Sequence, residues 1–325
     1  MMRNNEVPFV SVVVAVYNGQ STIRKCLDCV MVLKYPREKL EVIVVNDGST
    51  DKTVEIVRGY PIKLVEKEHG GYPSTMNTGI KMAKGEIILN IDSDTYISED
   101  WLMKVFEEFN DPKVGIVGGY VATAPTSSFW AKMAGFESED REDKITSKYV
   151  DFVTSTCTAY RKELFVNIGL FNEALRRGSD EDLAQRALEA GWKVVLQKDA
   201  VCYHEGVSLV KYFRKQVLNI IYEVKSFRQH PELLSGKEQH PRGLYIPLVL
   251  TFLLLLTPLW LLINSAWVSV LSLLGATLYH VPRTVRIIRK HEDWSMVLLP
   301  VAILVRYVAW LIGFVIALFS ELIHR

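Results

Sequence analysis

The first apolar run of the chain, Val10–Val16, ends abruptly at the polar pair Tyr17–Asn18. A short run bounded by turn residues has the length of a buried strand. Phe9–Tyr17 is too short for a leader peptide and lacks a small-residue cleavage site, which also favours a strand. Ser21–Leu33 reads as a helix, and Leu40–Val45 as a second strand ending in Asn46-Asp47-Gly48-Ser49. Ser49 and Asp51 suit the start of a helix through Val54–Arg58. Ile62–Val65 predicts a third strand, Ser74–Ala83 a helix, and Glu86–Ile91 a fourth strand stopping at Asp92-Ser93-Asp94. Strands alternating with helices at this spacing predict an α/β fold with a parallel sheet covered on both faces. Ligands of such sheets bind at the carboxyl ends of the strands. Tyr17–Asn18, Asp47–Gly48 and Asp92–Asp94 all fall there.

The pattern changes near residues 230–243, where interleaved charges give way to long apolar runs. Leu244–Ile263 offers about 20 uncharged residues, enough to cross a bilayer core. Asn264–Ser265 makes a turn, and Ala266–Val281 reads as a shorter returning span. A basic loop follows, with Arg283, Arg286, Arg289 and Lys290, and Met296–Leu322 is a third apolar run containing Pro300 and Arg306. Positive loops stay in the cytoplasm. A hairpin of the first two spans puts the N-terminal domain on that same side, which predicts a multi-pass protein of the cell membrane. Arg306 leaves two arrangements for the third run: a span, or a segment along the interface that enters the bilayer beyond it. Ser208–Arg228 is a basic amphipathic helix, suited either to an anionic membrane surface or to packing on the domain with a solvated basic face. The expected organisation is a catalytic domain over 1–207, an interface helix and linker over 208–242, and a transmembrane region of two to three helices over 243–325.

Composition narrows the chemistry. The 325 residues are 49% hydrophobic and 23% charged with a net charge of +1, so no basic stripe points to nucleic acid. Cys26 and Cys29 form a C-x-x-C without a second pair, and their helical setting favours buried apolar cysteines over a zinc or redox site. Neither a glycine-rich dinucleotide fingerprint nor a P-loop follows the first strand, which disfavours a dinucleotide enzyme or an ATPase. Asp92 and Asp94 place two carboxylates one residue apart at a strand end, a pattern suited to Mg²⁺ or Mn²⁺ carrying substrate phosphates.

The runs Ser11–Asn18, Val45–Asp51 and Ile91–Asp94, in that order and spacing, resemble the family 2 glycosyltransferases over roughly residues 8–230. That resemblance implies a GT-A type nucleotide-binding domain with a mainly parallel sheet, followed here by an α-helical transmembrane region. It also implies an inverting, metal-dependent enzyme using a nucleotide-diphosphate sugar, a UDP-sugar by default. Tyr17 and Asp47 would hold the base, Asp92 the ribose, and Ala15 and Ser93 would line the donor. Asp94 would bind Mn²⁺ or Mg²⁺, and His204 is a candidate further metal or diphosphate contact. Gly178-Ser179-Asp180-Glu181-Asp182-Leu183 is similar to the family's acidic motif, with Asp180 as catalytic base and Asp182 as support for the helix or loop. Ser179 replaces an acidic residue there, and Met76 replaces an arginine that many relatives carry near the base. Gln216-Val-Leu-Asn-Ile lacks the tryptophan motif of processive synthases, favouring single-sugar addition.

A hydroxyl acceptor needs a base, whereas a phosphate monoester is already mostly ionised at neutral pH, its second pKa being about 6. Asp180 therefore favours a hydroxyl acceptor, and the membrane spans favour that acceptor being a lipid-linked glycan or surface polysaccharide precursor. A polyprenyl-phosphate sugar synthase and a silent nucleotide-sugar-binding membrane scaffold are the alternatives.

Overall fold

The computed structural model describes residues 7–175, 178–206, 208–229 and 267–319, with isolated positions between 249 and 256. The chain divides into two units, one of Met1–Thr126 with Arg141–Glu205, the other of Ser127–Asp140 with Gly206–Arg325. Residues 127–140, read from sequence as part of the catalytic domain, belong with the C-terminal helices instead.

The first unit is built on strands β1 (Val10–Val16), β2 (Leu40–Asn46), β3 (Lys63–Glu66), β4 (Ile87–Asp92), β5 (Thr95–Ile97), β6 (Val114–Thr123), β7 (Cys157–Arg161) and β8 (Lys193–His204). Its helices are α1 (Ile23–Met31), α2 (Thr53–Val57), α3 (Tyr72–Met82), α4 (Trp101–Phe106), α6 (Lys162–Ile168) and α7 (Ser179–Glu189). Helix α5 (Phe129–Asp143) carries the boundary between the units. The strands form one sheet in the order β3-β2-β1-β4-β7-β6-β8-β5. The half read from sequence is parallel throughout, β3-β2-β1-β4. Beyond β4 the sheet is mixed, with β7 antiparallel to both β4 and β6.

Alternation along β1 explains the double covering. Val10, Val12, Val14 and Val16 join Ile23, Leu27 and Val30 of α1 on one face, while Val13 joins Met76 and Ile80 of α3 on the other. A strand buried on both faces is apolar at nearly every position, which is why β1 reads as a hydrophobic run broken only by Ser11, a buried residue whose hydroxyl accepts from Gly85 N. Met76 is fully buried in this core, so the side chain standing in for the relatives' arginine packs rather than faces a ligand. Helix α3 approaches β1 closely at Gly79, where a Cβ would lie 2.3 Å from Val13 Cγ1 and 3.3 Å from Val45 Cγ2. Gly79→Ala is therefore expected to destabilise the domain by about 1–3 kcal/mol, as overpacking does. A denaturant titration of the two proteins measures this, and an unchanged midpoint would refute it.

In the second unit, α5 packs with α8 (Leu209–Gln229), α9 (Trp267–His291) and α10 (Leu299–Phe319). Met133 and Phe136 of α5 share a core with Tyr212, Ile287, Leu299, Ile303 and Tyr307. Helix α8 is the expected amphipathic element: Tyr212 is buried and Gln216 accepts from Trp310 Nε1 at 2.8 Å, while Lys211, Arg214 and Lys215 lie on its more open side.

One expectation needs correction here, and another falls outside the described residues. The first apolar run, Leu244–Ile263, lies outside the described residues apart from isolated positions. The second run and the basic loop are not separate, because α9 continues through Pro282 as one helix carrying Arg283, Arg286 and Lys290. The reason is tertiary: Arg283 Nη1 meets Glu137 Oε1 at 2.9 Å and Arg286 Nε meets Asp140 Oδ1 at 3.0 Å. Arg306 Nη1 lies 2.7 Å from Glu137 Oε2, so its charge is matched by α5. Among the described residues, one helical stretch is long and apolar enough to cross a membrane, the 24 residues Trp294–Ala317, and Arg306 lies within it.

Candidate functional site

Three loops at the carboxyl ends of neighbouring parallel strands lock one another in place. After β1, Asn18 adopts a left-handed backbone conformation with φ 50°. Its side-chain oxygen accepts from Thr50 N at 2.8 Å, and its own N–H donates to Ser49 Oγ at the same distance. Gly19 N donates to Thr53 Oγ1 at 2.9 Å and Gln20 N to Asp51 Oδ2 at 3.1 Å. Asp51 also accepts the amide of Thr53 at the start of α2, while Ser49 is used across the loops. The Asn46–Thr53 turn thus clamps Tyr17–Gln20, and Tyr17 is left half exposed.

Asp47 is buried beneath this clamp, with its side chain 4% exposed. Lys67 Nζ reaches Oδ1 at 2.7 Å and Gly70 N reaches the same oxygen at 2.9 Å. Gly71 N and His69 Nδ1 each reach Oδ2 at 2.9 Å. Gly71 holds φ at 86°, a region costly for any residue with a Cβ, and this aims its N–H at the carboxylate. Burial alone would raise the Asp47 pKa, but the Lys67 ammonium and the two glycine amides hold it below the ordinary carboxylate range. A depressed pKa gives stability that is present above the unfolded value of about 3.9 and is lost as pH falls through the folded value. The protection factors of the Gly70 and Gly71 amides should therefore hold at about pH 5 and fall only at a lower pH, below the ordinary carboxylate range. Protection that already disappears at the higher pH would contradict this assignment.

Around β4 the site is set by register. Ala15 stands opposite Asp92 in the β1–β4 ladder, and Asp92 N donates to Thr156 O at 2.9 Å. Ser93 lies beside Gly19, since a Cβ there would be 3.4 Å from Ser93 Oγ. Thr95 pairs with His204 across β5 and β8, which brings His204 Nε2 to 3.4 Å from Asp94 Oδ1. Both side chains are about one third exposed.

Asp180 comes from a distant part of the sequence. It lies in the first turn of α7, and its Oδ2 accepts from Ser155 N at 3.3 Å. Ser155 O in turn accepts from Asn90 of β4, whose amide nitrogen also donates to Tyr72 Oη at 2.9 Å. Burial pushes the Tyr72 and Tyr160 phenols far up, and the carboxylates of Asp92 and Asp180 act on both in the same direction. The two aspartates thus flank one pair of phenols although 88 positions separate them in the chain. Asp182 is differently used: Arg186 Nη2 holds it at 2.8 Å, and the same guanidinium donates to the carbonyls of Ile168 and Leu170. It fixes α7 to the preceding loop.

Some residues of this constellation were not singled out from sequence. Lys67 and His69 follow β3 at its carboxyl end, where the strand-end rule could have found them. Asn90 is a polar residue in an otherwise apolar strand, which is itself a signal. Ser155 had none, since it lies in an irregular stretch. Cys26 is buried in α1 with its thiol pushed well up by burial, and all four cysteines are free.

The model of the Glycosyl transferase family 2 matches residues 11–169, the segment holding the three clamped loops and both Asp92 and Asp94. Glycosyltransferase AglE of Haloferax volcanii is 30% identical over 218 residues, covering 65% of this chain and 71% of that protein. The chain belongs to the family 2 glycosyltransferases. Poly-beta-1,6-N-acetyl-D-glucosamine synthase of Staphylococcus aureus is 28% identical over 212 residues, 61% of this chain, and the match spans 48% of that synthase. Among solved structures, the mannosyltransferase PcManGT from Pyrobaculum calidifontis, in complex with GDP-Man and Mn²⁺, has a TM-score of 0.61. It is 23% identical, and the match covers 98% of this chain and 89% of that one, so the likeness is one of fold. The mixed eight-stranded sheet is thus the GT-A fold of the family.

Proposed function

We propose that this family 2 glycosyltransferase is a membrane-bound, inverting enzyme that moves a sugar from a nucleoside diphosphate to a hydroxyl of a lipid-linked glycan or surface polysaccharide precursor. The observation that carries the reading is the convergence of Asp92, Asp94 and Asp180 at the carboxyl edge of the sheet, with Asp47 closing the neighbouring base pocket.

Tyr17 and the Asp47 loop would receive the base, with Ala15, Asp92 and Ser93 lining the ribose and diphosphate. Uridine is the default base, and the GDP-Man of the solved relative makes guanosine the alternative. Asp94 and His204 fit a divalent cation: two neighbouring ligands about 2.1 Å from an octahedral ion stand about 3 Å apart, close to their separation here. Among the described residues no group of three or more such side chains forms a complete cage, so donor phosphates would supply remaining positions. Bound there, Mn²⁺ or Mg²⁺ would neutralise charge on the departing diphosphate. Asp180 would take the proton of the acceptor hydroxyl as its oxygen attacks the anomeric carbon. The bond from that carbon to the diphosphate oxygen breaks, and the nucleoside diphosphate leaves.

Membrane association is supported by Trp294–Ala317 and by the apolar side chains Trp267, Val270, Leu271, Leu274 and Leu278 that α9 exposes. A multi-pass arrangement with a cytoplasmic catalytic domain follows from the uncharged run Leu244–Ile263 and the basic residues of α9.

The test uses the detergent-purified full chain, a panel of labelled sugar nucleotides and a lipid extract, with label counted in the organic phase. Transfer should require Mn²⁺ or Mg²⁺, stop on chelation and be lost in Asp94→Ala. Transfer that persists in chelator would remove the metal from the reading, and no transfer from any donor with nucleotide still bound would favour the silent scaffold.

A further inference from the structure

We infer that Asn77 is a positioning residue for the transfer, holding the loop between α6 and α7 and through it setting Asp180 across the site from Asp92; this rests on the role proposed above for Asp180. Asn77 lies on α3 and is buried. A buried amide is costly unless its donors and acceptor are used. Its Oδ1 accepts from Phe171 N at 3.0 Å, and its Nδ2 donates to Phe171 O at 2.9 Å and to Glu173 Oε1 at 2.8 Å. The side chain thus takes both backbone groups of one residue 94 positions away, as a paired residue of an antiparallel strand would.

The same loop is held from α7. Arg186 donates to the carbonyls of Ile168 and Leu170 at 2.6 and 2.9 Å. Backbone groups from Ile168 to Phe171 are therefore tied to one side chain of α3 and one of α7, the helix whose first turn carries Asp180. Fixing the loop also fixes the buried ring of Phe171. That ring stands edge-on to Tyr72 at 6.2 Å and to Tyr160 at 6.0 Å, the two phenols that Asp92 and Asp180 flank. Tyr72 is tied in turn to β4, since its Oη accepts from Asn90 Nδ2 at 2.9 Å. Phe171 is thus a wedge that spaces the phenols, and close-packed interiors pass such displacements on rather than absorb them. The Asn77 amide is occupied by the loop, so its effect on the chemistry passes through Phe171 and α7.

The experiment uses Asn77→Asp, a nearly isosteric change, in the full chain in detergent with Mn²⁺. An oxygen then faces Phe171 O and the Glu173 carboxylate, so two hydrogen bonds become repulsions. Adding Glu173→Gln supplies an amide that can donate to the new carboxylate. Hydrogen exchange read by mass spectrometry should quicken in Asn77→Asp over residues 168–183 and stay unchanged over residues 40–58. With the sugar nucleotide that the native chain uses and a lipid extract, kcat should fall about 10- to 100-fold, the scale of a small misplacement of a reacting group. The donor KM should stay unchanged, the double variant should recover part of the loss, and Glu173→Gln alone should behave as native. A merely structural role would lower the melting temperature and leave the kcat of the folded enzyme as it was. Unchanged kcat in Asn77→Asp, or a loss that Glu173→Gln does not relieve, would overturn the inference. Asp180→Asn is run beside these variants. If it abolishes transfer while Asn77→Asp matches the native chain, the inference about Asn77 alone fails. If Asp180→Asn transfers as the native chain does, or the native chain transfers from no donor, the reading of Asp180 as base fails and takes this inference with it.

Discussion

Asp180→Asn should lower transfer to a hydroxyl acceptor by about 100- to 10 000-fold, the usual worth of a positioned base, while nucleotide affinity stays unchanged. The substitution preserves the acceptor oxygen that Ser155 N reaches at 3.3 Å, so the loop and the first turn of α7 keep their shape. What it removes is the capacity to take a proton. Asp182 cannot substitute, since Arg186 holds it at 2.8 Å. A fall in kcat with KM for the donor unchanged supports the role. Transfer that survives in the variant with a lipid phosphate as acceptor would reassign the enzyme to polyprenyl-phosphate sugar synthesis, because an ionised phosphate needs no base.

Arg306→Leu should destabilise the C-terminal helical unit by about 3–5 kcal/mol, the cost of leaving a buried charge without its partner. Glu137 is 1% exposed and takes Arg306 Nη1 at 2.7 Å on one oxygen and Arg283 Nη1 at 2.9 Å on the other. Losing Arg306 leaves this desolvated carboxylate with a weaker set of donors than its burial requires. Replacing both partners, Arg306→Leu with Glu137→Leu, should recover most of the loss, because Arg283 retains Asp140 at 3.3 Å. Thermal melts of the full chain in detergent, read by limited proteolysis within α5 and α10, check both arms. Equal melting of Arg306→Leu and the native chain would show the pair to be dispensable.

Local pattern carried much of this molecule. The largely apolar runs of β1, β2 and β4 could be read directly because strands buried on both faces show no regular polar alternation, only single polar residues such as Ser11 and Asn90. Asp47, Asp92 and Asp94 were visible because each closes such a strand, and a carboxylate at that boundary stands at the ligand-binding edge of a parallel sheet. The bounds of α8 were legible from its spacing of apolar and basic residues. Its use was not, since the same stripe serves a membrane surface or a packed core, and only the burial of Tyr212 and the Trp310–Gln216 hydrogen bond show which neighbours it takes.

What sequence alone determined, then, was the parallel half of the sheet, the strand-end aspartates and the apolar character of the C-terminal region, all properties of residues close together in the chain. Tertiary structure decided the rest. It placed α5 with the C-terminal helices, turned an expected loop into α9, and gave Arg306 a carboxylate partner 169 positions away. It also set Asp180 beside the loop that precedes β7 and surrounded Asp47 with Lys67, His69 and two glycine amides. These are contacts between segments far apart along the chain, and their energies depend on burial and on partners that no local pattern of apolar and polar residues encodes.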